Sequence, residues 1–317
     1  MRWRPLIESD VQACLDSFPG AAGAELLGPL KTFQAWIKLV HSPGFNGIVL
    51  EKETPGRPPK FAGFGASVFV SDAFALSELQ APRPGLNARV LQELSIGTRA
   101  ILPLDAIAKD NAGHGLNTVV LCGRWTDETL TDGERAQAEV FLSTVFVERH
   151  AGYHFKRMLV EVADARDDFA VTASFIWRKI PFLAGNSGHQ PSLPIRNPYQ
   201  CLAVIEMPEM RSVYASVIGP LFYGSPPKLG FTRTGQELLE AALNGSTDSE
   251  LAAQLGLTLS AVKRRWSGLY NHVESVWPDF FQDSTGKRKS GIRGPQKRHI
   301  LLDYVRNHKE EIRPYKK

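Results

Sequence analysis

The residues with the most legible chemistry lie between Leu257 and Val273, in the stretch LTLSAVKRRWSGLYNHV. Val262, Trp266, Leu269 and Val273 recur at intervals of four, three and four, the spacing of one buried helical stripe. A stripe on that side turns Ser260, Ala261, Lys263, Arg264 and Ser267 outward, with Arg265 beside them. Small side chains followed by cations suit close approach to base edges and then contact with phosphates. The candidate DNA-contacting residues of this stretch are therefore Thr258, Ser260, Ala261, Lys263, Arg264, Arg265 and Ser267.

A helix can present such a face only if other elements hold it. Upstream, Thr232 or Thr234 can cap a first helix with Leu238, Leu239, Ala242 and Leu243 on one face, ending at Asn244-Gly245, where glycine accepts the left-handed conformation. Thr247 or Asp248 then caps a second helix, with Leu251, Ala252 and Leu255 inward and a stop at Gly256. Leu257-Thr258-Leu259 forms the turn, and the third helix starts near Ser260. Two short helices joined by a tight turn can place the outer face of the second in a major groove. Trp266 is expected in the core of this module and not on its surface.

The segment GSTDSELAAQLGLTLSAVKRRWSGLY resembles the LuxR-type (GerE-type) helix-turn-helix. The matching positions are Gly245, Glu250, Leu251, Ala252, Leu255, Gly256, Val262 and Lys263, within about 45 residues of the chain. The resemblance implies a bacterial-type transcriptional regulator in which Lys263 and its neighbours contact double-stranded DNA. The chain departs from the family at Gly235, where a Glu is usual, at Arg265, where His is frequent, and at Trp266, where the family is usually aliphatic.

Charge is distributed unevenly. Lys228–Lys317 holds 16 basic and 10 acidic residues, a net of +6, and residues 1–227 hold 21 and 23, a net of −2. A basic module joined to a mildly acidic one has the electrostatic outline of a polyanion-binding domain attached to something else. Within the basic part, Lys287, Arg288, Lys289, Arg293, Lys297 and Arg298 fall in fourteen residues without an acid. Gly286, Gly291, Gly294 and Pro295 argue against a helix there, and such a segment can lie along phosphates or reach a minor groove. Lys287, Arg288, Lys289 and Arg293 join the candidate DNA contacts. His299–Pro314 reads as a closing amphipathic helix, with Ile300, Leu301, Tyr304 and Val305 on one face.

The segment Gly224–Phe231, GSPPKLGF, marks the boundary. Upstream of it, Val11–Phe18 and Leu30–Val40 read as short amphipathic helices, and Phe61–Val70 and Asn117–Trp125 as strands. Leu130–His150 reads as a helix opened by a Thr/Asp cap; Phe155–Val162 reads as its extension or as another helix. Gln190–Tyr199 has three prolines and reads as a loop. The opening RPLIESDVQACL and the strand FAGFGASVFV are distantly similar to GNAT acyltransferases. That family holds the pyrophosphate of coenzyme A on the backbone amides of a Gln/Arg-x-x-Gly-x-Gly/Ala turn. No such turn follows Val70, where the chain reads SDAFALSELQ, and Gly113-His114-Gly115 is too short to replace it.

Other chemistry is thinly supported. His150 and His154, with Glu148 nearby, would share a helix face, but the zinc-protease pattern needs Glu where Ala151 stands. Cys14, Cys122 and Cys201 form no CxxC pair, against a disulfide framework or zinc knuckle and in keeping with a reducing cytosol. The Trp and Tyr spacing of acyl-homoserine-lactone sensors is absent. The start MRWRPLIESD is charged, and no apolar run approaches the roughly 18 residues of a membrane span.

At 317 residues, 43% hydrophobic and 22% charged, the chain reads as an α+β protein. A mixed α/β domain (1–223) and a linker (224–230) precede an all-α helix-turn-helix module (231–277), with a basic segment and helix to follow (278–317). The function expected is that of a cytoplasmic DNA-binding regulator with an N-terminal sensor or assembly domain, without catalytic residues, metal or cofactor. Its effector is an unidentified small molecule or protein; a homodimer is left open. The alternatives are a GNAT-like acyltransferase targeted to DNA and a protein-interaction scaffold.

Overall fold

The computed structural model describes residues 1–17, 24–125, 130–163, 177–182, 193–196, 198–207, 218–243, 245–281 and 294–316. The chain forms two compact units, Met1–His150 with His154–Tyr223, and Ala151–Tyr153 with Gly224–Lys317.

Among the described residues of the first unit, seven strands form one mixed sheet. They are β1 (Arg2–Pro5), β2 (Phe45–Thr54), β3 (Arg57–Val70), β4 (Leu116–Trp125), β5 (Phe155–Val162), β6 (Arg178–Pro181) and β7 (Cys201–Glu206), ordered β1-β2-β3-β4-β5-β7-β6. Neighbours run antiparallel, except β4 beside β5, which are parallel, with Val119 opposite Leu159. The β4–β5 crossover is made by helix α7 (Asp132–His150), opened by Thr131 and Glu134.

Alternation along the strands divides the apolar residues between the two faces. Val49, Phe64, Val68, Val119, Leu159 and Val204 pack with Trp36 and Leu39 of α3 (Pro29–Val40) and Val90 and Leu91 of α5 (Leu86–Ile96). Trp36 meets Phe45 and Phe64 edge-on, at 6.4 and 6.2 Å between ring centroids. On the other face Ile48 and Leu50 pack with Ala138 and Val145 of α7. The shorter helices are α1 (Val11–Ser17), α2 (Ala24–Leu27), α4 (Asp72–Gln80) and α6 (Leu104–Ala112).

Phe155–Val162 is a strand and not a helix, which corrects the sequence-based expectation. Gly152, at φ +85°, takes the chain out of helical geometry two residues after α7 ends. The strand is buried on both faces, with Met158 at 3% and Leu159 at 0% exposure, so its apolar run lacks the alternation that marks a half-buried strand. The same break separates the two histidines. His150 ends α7 with Nε2 2.9 Å from Ser67 Oγ and Nδ1 2.7 Å from the Phe146 carbonyl. His154 precedes β5, and burial lowers its pKa.

Of the expected proline loop, residues 193–196, 198 and 199 are described and carry no helix or strand; 190–192 and 197 lie outside the described residues. Cys14, Cys122 and Cys201 are free and buried, and burial pushes the Cys14 thiol up to about 12. Among the described residues, no helix is long and apolar enough to cross a membrane, and no group of three or more His, Cys, Asp or Glu side chains is placed to hold a metal ion.

The described part of the second unit is helical, with α8 (Arg233–Ala242), α9 (Asp248–Gln254), α10 (Leu259–Val276), α11 (Gly294–Asn307) and a 3-10 turn at Lys309–Ile312. Its core joins Phe231, Leu238, Leu239, Leu251, Val262, Trp266, Leu269 and Val273 to Leu301, Leu302 and Val305 of α11.

Candidate nucleic-acid interface

Three threonines open the three helices around the candidate site. Thr232 Oγ1 accepts from the Gly235 amide, Thr247 Oγ1 from Glu250 and Thr258 Oγ1 from Ala261, which satisfies amides that have no partner within the helix. At α9 the cap is reciprocal. The Glu250 carboxylate accepts from the Thr247 amide at 2.7 Å, closing a capping box, and that bond holds its pKa below the usual carboxylate range. Gly256, at φ +63°, turns the chain out of α9, and the Leu257 amide donates back to the Ala252 carbonyl at 2.8 Å. Three residues on, α10 begins.

Gly235 is a buried residue of α8. A Cβ added to it would lie 2.9 Å from Leu269 Cδ2, so a longer side chain there requires the tip of the Leu269 side chain to shift. A glutamate at this buried position would also have to lose its hydration.

Val262, Trp266, Leu269 and Val273 are the buried residues of α10, in the expected four-three-four stripe. On the opposite side Ser260, Lys263, Arg264 and Ser267 are exposed, and Ala261 and Arg265 are half-buried. Thr258 is exposed, but its hydroxyl is committed to the cap. Ser267 Oγ donates to the Lys263 carbonyl at 3.2 Å. The sequence reading missed Gly268 and Asn271, both exposed on the same side. Carrying the same periodicity one turn past Ser267 would have found them.

Ion pairing separates these cations from five others of the unit. Arg233 pairs with Glu237, Lys297 with Glu274, Arg298 with Asp248, Arg306 with Asp303 and Arg313 with Glu240. Among the described residues, no carboxylate pairs with Lys263, Arg264 or Arg265, and the first three turns of α10 hold no acid. Three consecutive cations therefore face outward without internal compensation.

The basic segment divides in two. Lys287, Arg288, Lys289 and Arg293 lie outside the described residues. Gly294–Arg298, expected to be non-helical, is instead the first turn and more of α11. Proline is tolerated in a helix's first turn because its missing N–H would have had no partner there. Lys297 and Arg298 are thereby held at 2.6 Å from Glu274 and 2.8 Å from Asp248 and are structural ties. The closing helix also ends at Asn307 and not at Pro314, and the 3-10 turn follows.

In the first unit, the start of α7 bears on anion binding. Its first turn contains Asp132 and Glu134, and the Glu134 carboxylate accepts from the Thr131 amide at 2.8 Å. Lys52, 2.7 Å away, and that amide hold the Glu134 pKa down at about 2. The helix start after the central strand is thus already occupied by the chain's own negative charge.

Compared with known proteins, the chain matches no family model, no curated protein and no solved structure.

Proposed function

We propose that the second unit is a LuxR-type helix-turn-helix module that binds double-stranded DNA through α10, in a transcriptional regulator of the cytoplasm. The observation that carries this reading is the row Lys263, Arg264 and Arg265, on the outward side of a helix that a capped three-residue turn sets beside α9. Unpaired cations on such a face repel one another, and a polyanion relieves that repulsion while releasing its counterions. The net of +6 after residue 227 against −2 before it favours the same partner.

The first unit has the role of sensor or assembly domain, with a small molecule or protein as effector. The acyltransferase reading asks for a phosphate-binding turn near the sheet, and the acids at the start of α7 oppose a pyrophosphate there. A two-fold pair of modules on two half-sites is the arrangement such a helix commonly serves.

The direct test is titration of the full chain against a mixed-sequence duplex at low and moderate salt. The expected result is binding that weakens steeply as salt rises. Salt-independent binding or none contradicts the reading, and capture of a protein partner by the same face would favour the scaffold.

A further inference from the structure

The outward residues of α10 are not equivalent. Ser260, Arg264, Ser267 and Asn271 each stand two residues before a core residue, Val262, Trp266, Leu269 and Val273 respectively. Two residues are about 200° of helical turn, so these four form the line farthest from the core. Lys263 and Arg265 stand one residue either side of Arg264, about 100° round the helix in opposite directions. They flank the line on its two sides.

Within the line, the two serines are short and locally engaged. Ser260 Oγ lies 3.1 Å from Thr258 Oγ1, and Ser267 Oγ bonds the Lys263 carbonyl. Arg264 and Asn271 are the long side chains. Both are exposed, and among the described residues neither has a hydrogen bond or ion pair. Arginine presents paired donors that match O6 and N7 of guanine, and asparagine presents the donor and acceptor that match N7 and N6 of adenine. Flanking cations meet the groove walls, where the phosphates are. Gly268, with no atom within 4 Å of the place a Cβ would take, adds no bulk beside the line. Past Asn271 the surface passes to Glu274, paired with Lys297, which sets the end of a phosphate-facing surface.

Resting on the reading of this unit as a DNA-binding module, we infer that Arg264 reads a guanine and Asn271 an adenine in one half-site, while Lys263 and Arg265 hold phosphates on either side. Seven residues of helix span roughly 10 Å, and base pairs stack at about 3.4 Å. The two bases are therefore within about three base pairs of each other, the limit reached when α10 runs along the DNA axis.

The test starts with selection of fragments bound by the full chain from random-sequence duplex DNA. The enriched duplex is then titrated at one salt concentration, beside copies carrying 7-deazaguanine or 7-deazaadenine at the enriched positions and beside random duplex. An enriched guanine and adenine within about three base pairs of each other is the expected motif. Each deaza substitution should weaken wild-type binding about tenfold. Arg264→Ala should be indifferent to 7-deazaguanine, and Asn271→Ala to 7-deazaadenine. Lys263→Ala and Arg265→Ala should weaken enriched and random duplexes by the same factor. A motif without that pair, indifference of the wild type to both deaza bases, or loss of preference in Lys263→Ala alone would overturn the assignment while leaving DNA binding intact. Absence of binding to any duplex would overturn both.

Discussion

The guanidinium of Arg298 lies 4.7 Å from the centroid of the Trp266 ring, and it donates at 2.8 Å to Asp248 and at 2.6 Å to the Ser246 carbonyl. One side chain of α11 thus ties the start of α9 to the centre of α10. Arg298→Ala should cost about 1–2 kcal/mol through the lost cation–π contact and ion pair. A fall in melting temperature of several degrees is the expected readout. An unchanged melting temperature together with a shallower salt dependence of DNA binding would make Arg298 a DNA contact instead of a structural tie. Trp266→Phe should lose little, because the indole N–H has no acceptor among the described residues. Trp266→Ala should cost on the order of 3–5 kcal/mol.

Glu311 is fully buried. Its carboxylate accepts from the amides of Lys228, Leu229 and Gly230, at 2.9 to 3.2 Å, and from the Tyr304 hydroxyl at 3.1 Å. It pins the approach to α8 against the chain's last turn. Glu311→Ala strands these donors and should cost about 3–5 kcal/mol, measured by urea unfolding of the second unit's signals. Stability equal to wild type would mean that water satisfies those amides as well as the carboxylate does.

In the first unit, Asp10 meets both Nη atoms of Arg4, at 2.6 and 2.7 Å. The Arg4 guanidinium holds its carboxyl below the usual range. A group whose folded pKa is depressed contributes stability above its unfolded pKa, near 4, and loses it as pH falls through the folded value. Asp10→Asn should therefore lower stability at pH 7 and make it fall less steeply below about pH 4. Parallel acid limbs for the two proteins would assign the acid sensitivity elsewhere.

Acetyl-coenzyme A at millimolar concentration should leave the melting temperature of the full chain unchanged, since Asp132 and Glu134 occupy the start of α7. A stabilisation of several degrees would promote the acyltransferase reading.

Much of the second unit was legible because its signals are local. Thr232, Thr247 with Glu250, and Thr258 sit where unsatisfied amides need them, and the core stripe of α10 repeats at one period. The tie of Lys297 and Arg298 to α10 and α9 was not legible, because partners 23 and 50 residues away leave no trace in local spacing. Gly294-Pro295 looked like a breaker because both residues disfavour helix interiors, whereas here they stand at a helix start. In the first unit β5 was misread: an interior strand buried on both faces carries no period to distinguish it from a helix. Helices α4, α5 and α6, between β3 and β4, have no counterpart among the sequence-based expectations.

The most direct test of the central claim replaces Lys263, Arg264 and Arg265 together by glutamine and measures the affinity of the folded chain for a mixed-sequence duplex across a salt series. The account expects the slope of log affinity against log salt to flatten by roughly 2 units, at ~0.9 for each of the phosphate contacts of Lys263 and Arg265, with circular dichroism and melting temperature unchanged. An unchanged slope in a folded variant would contradict it.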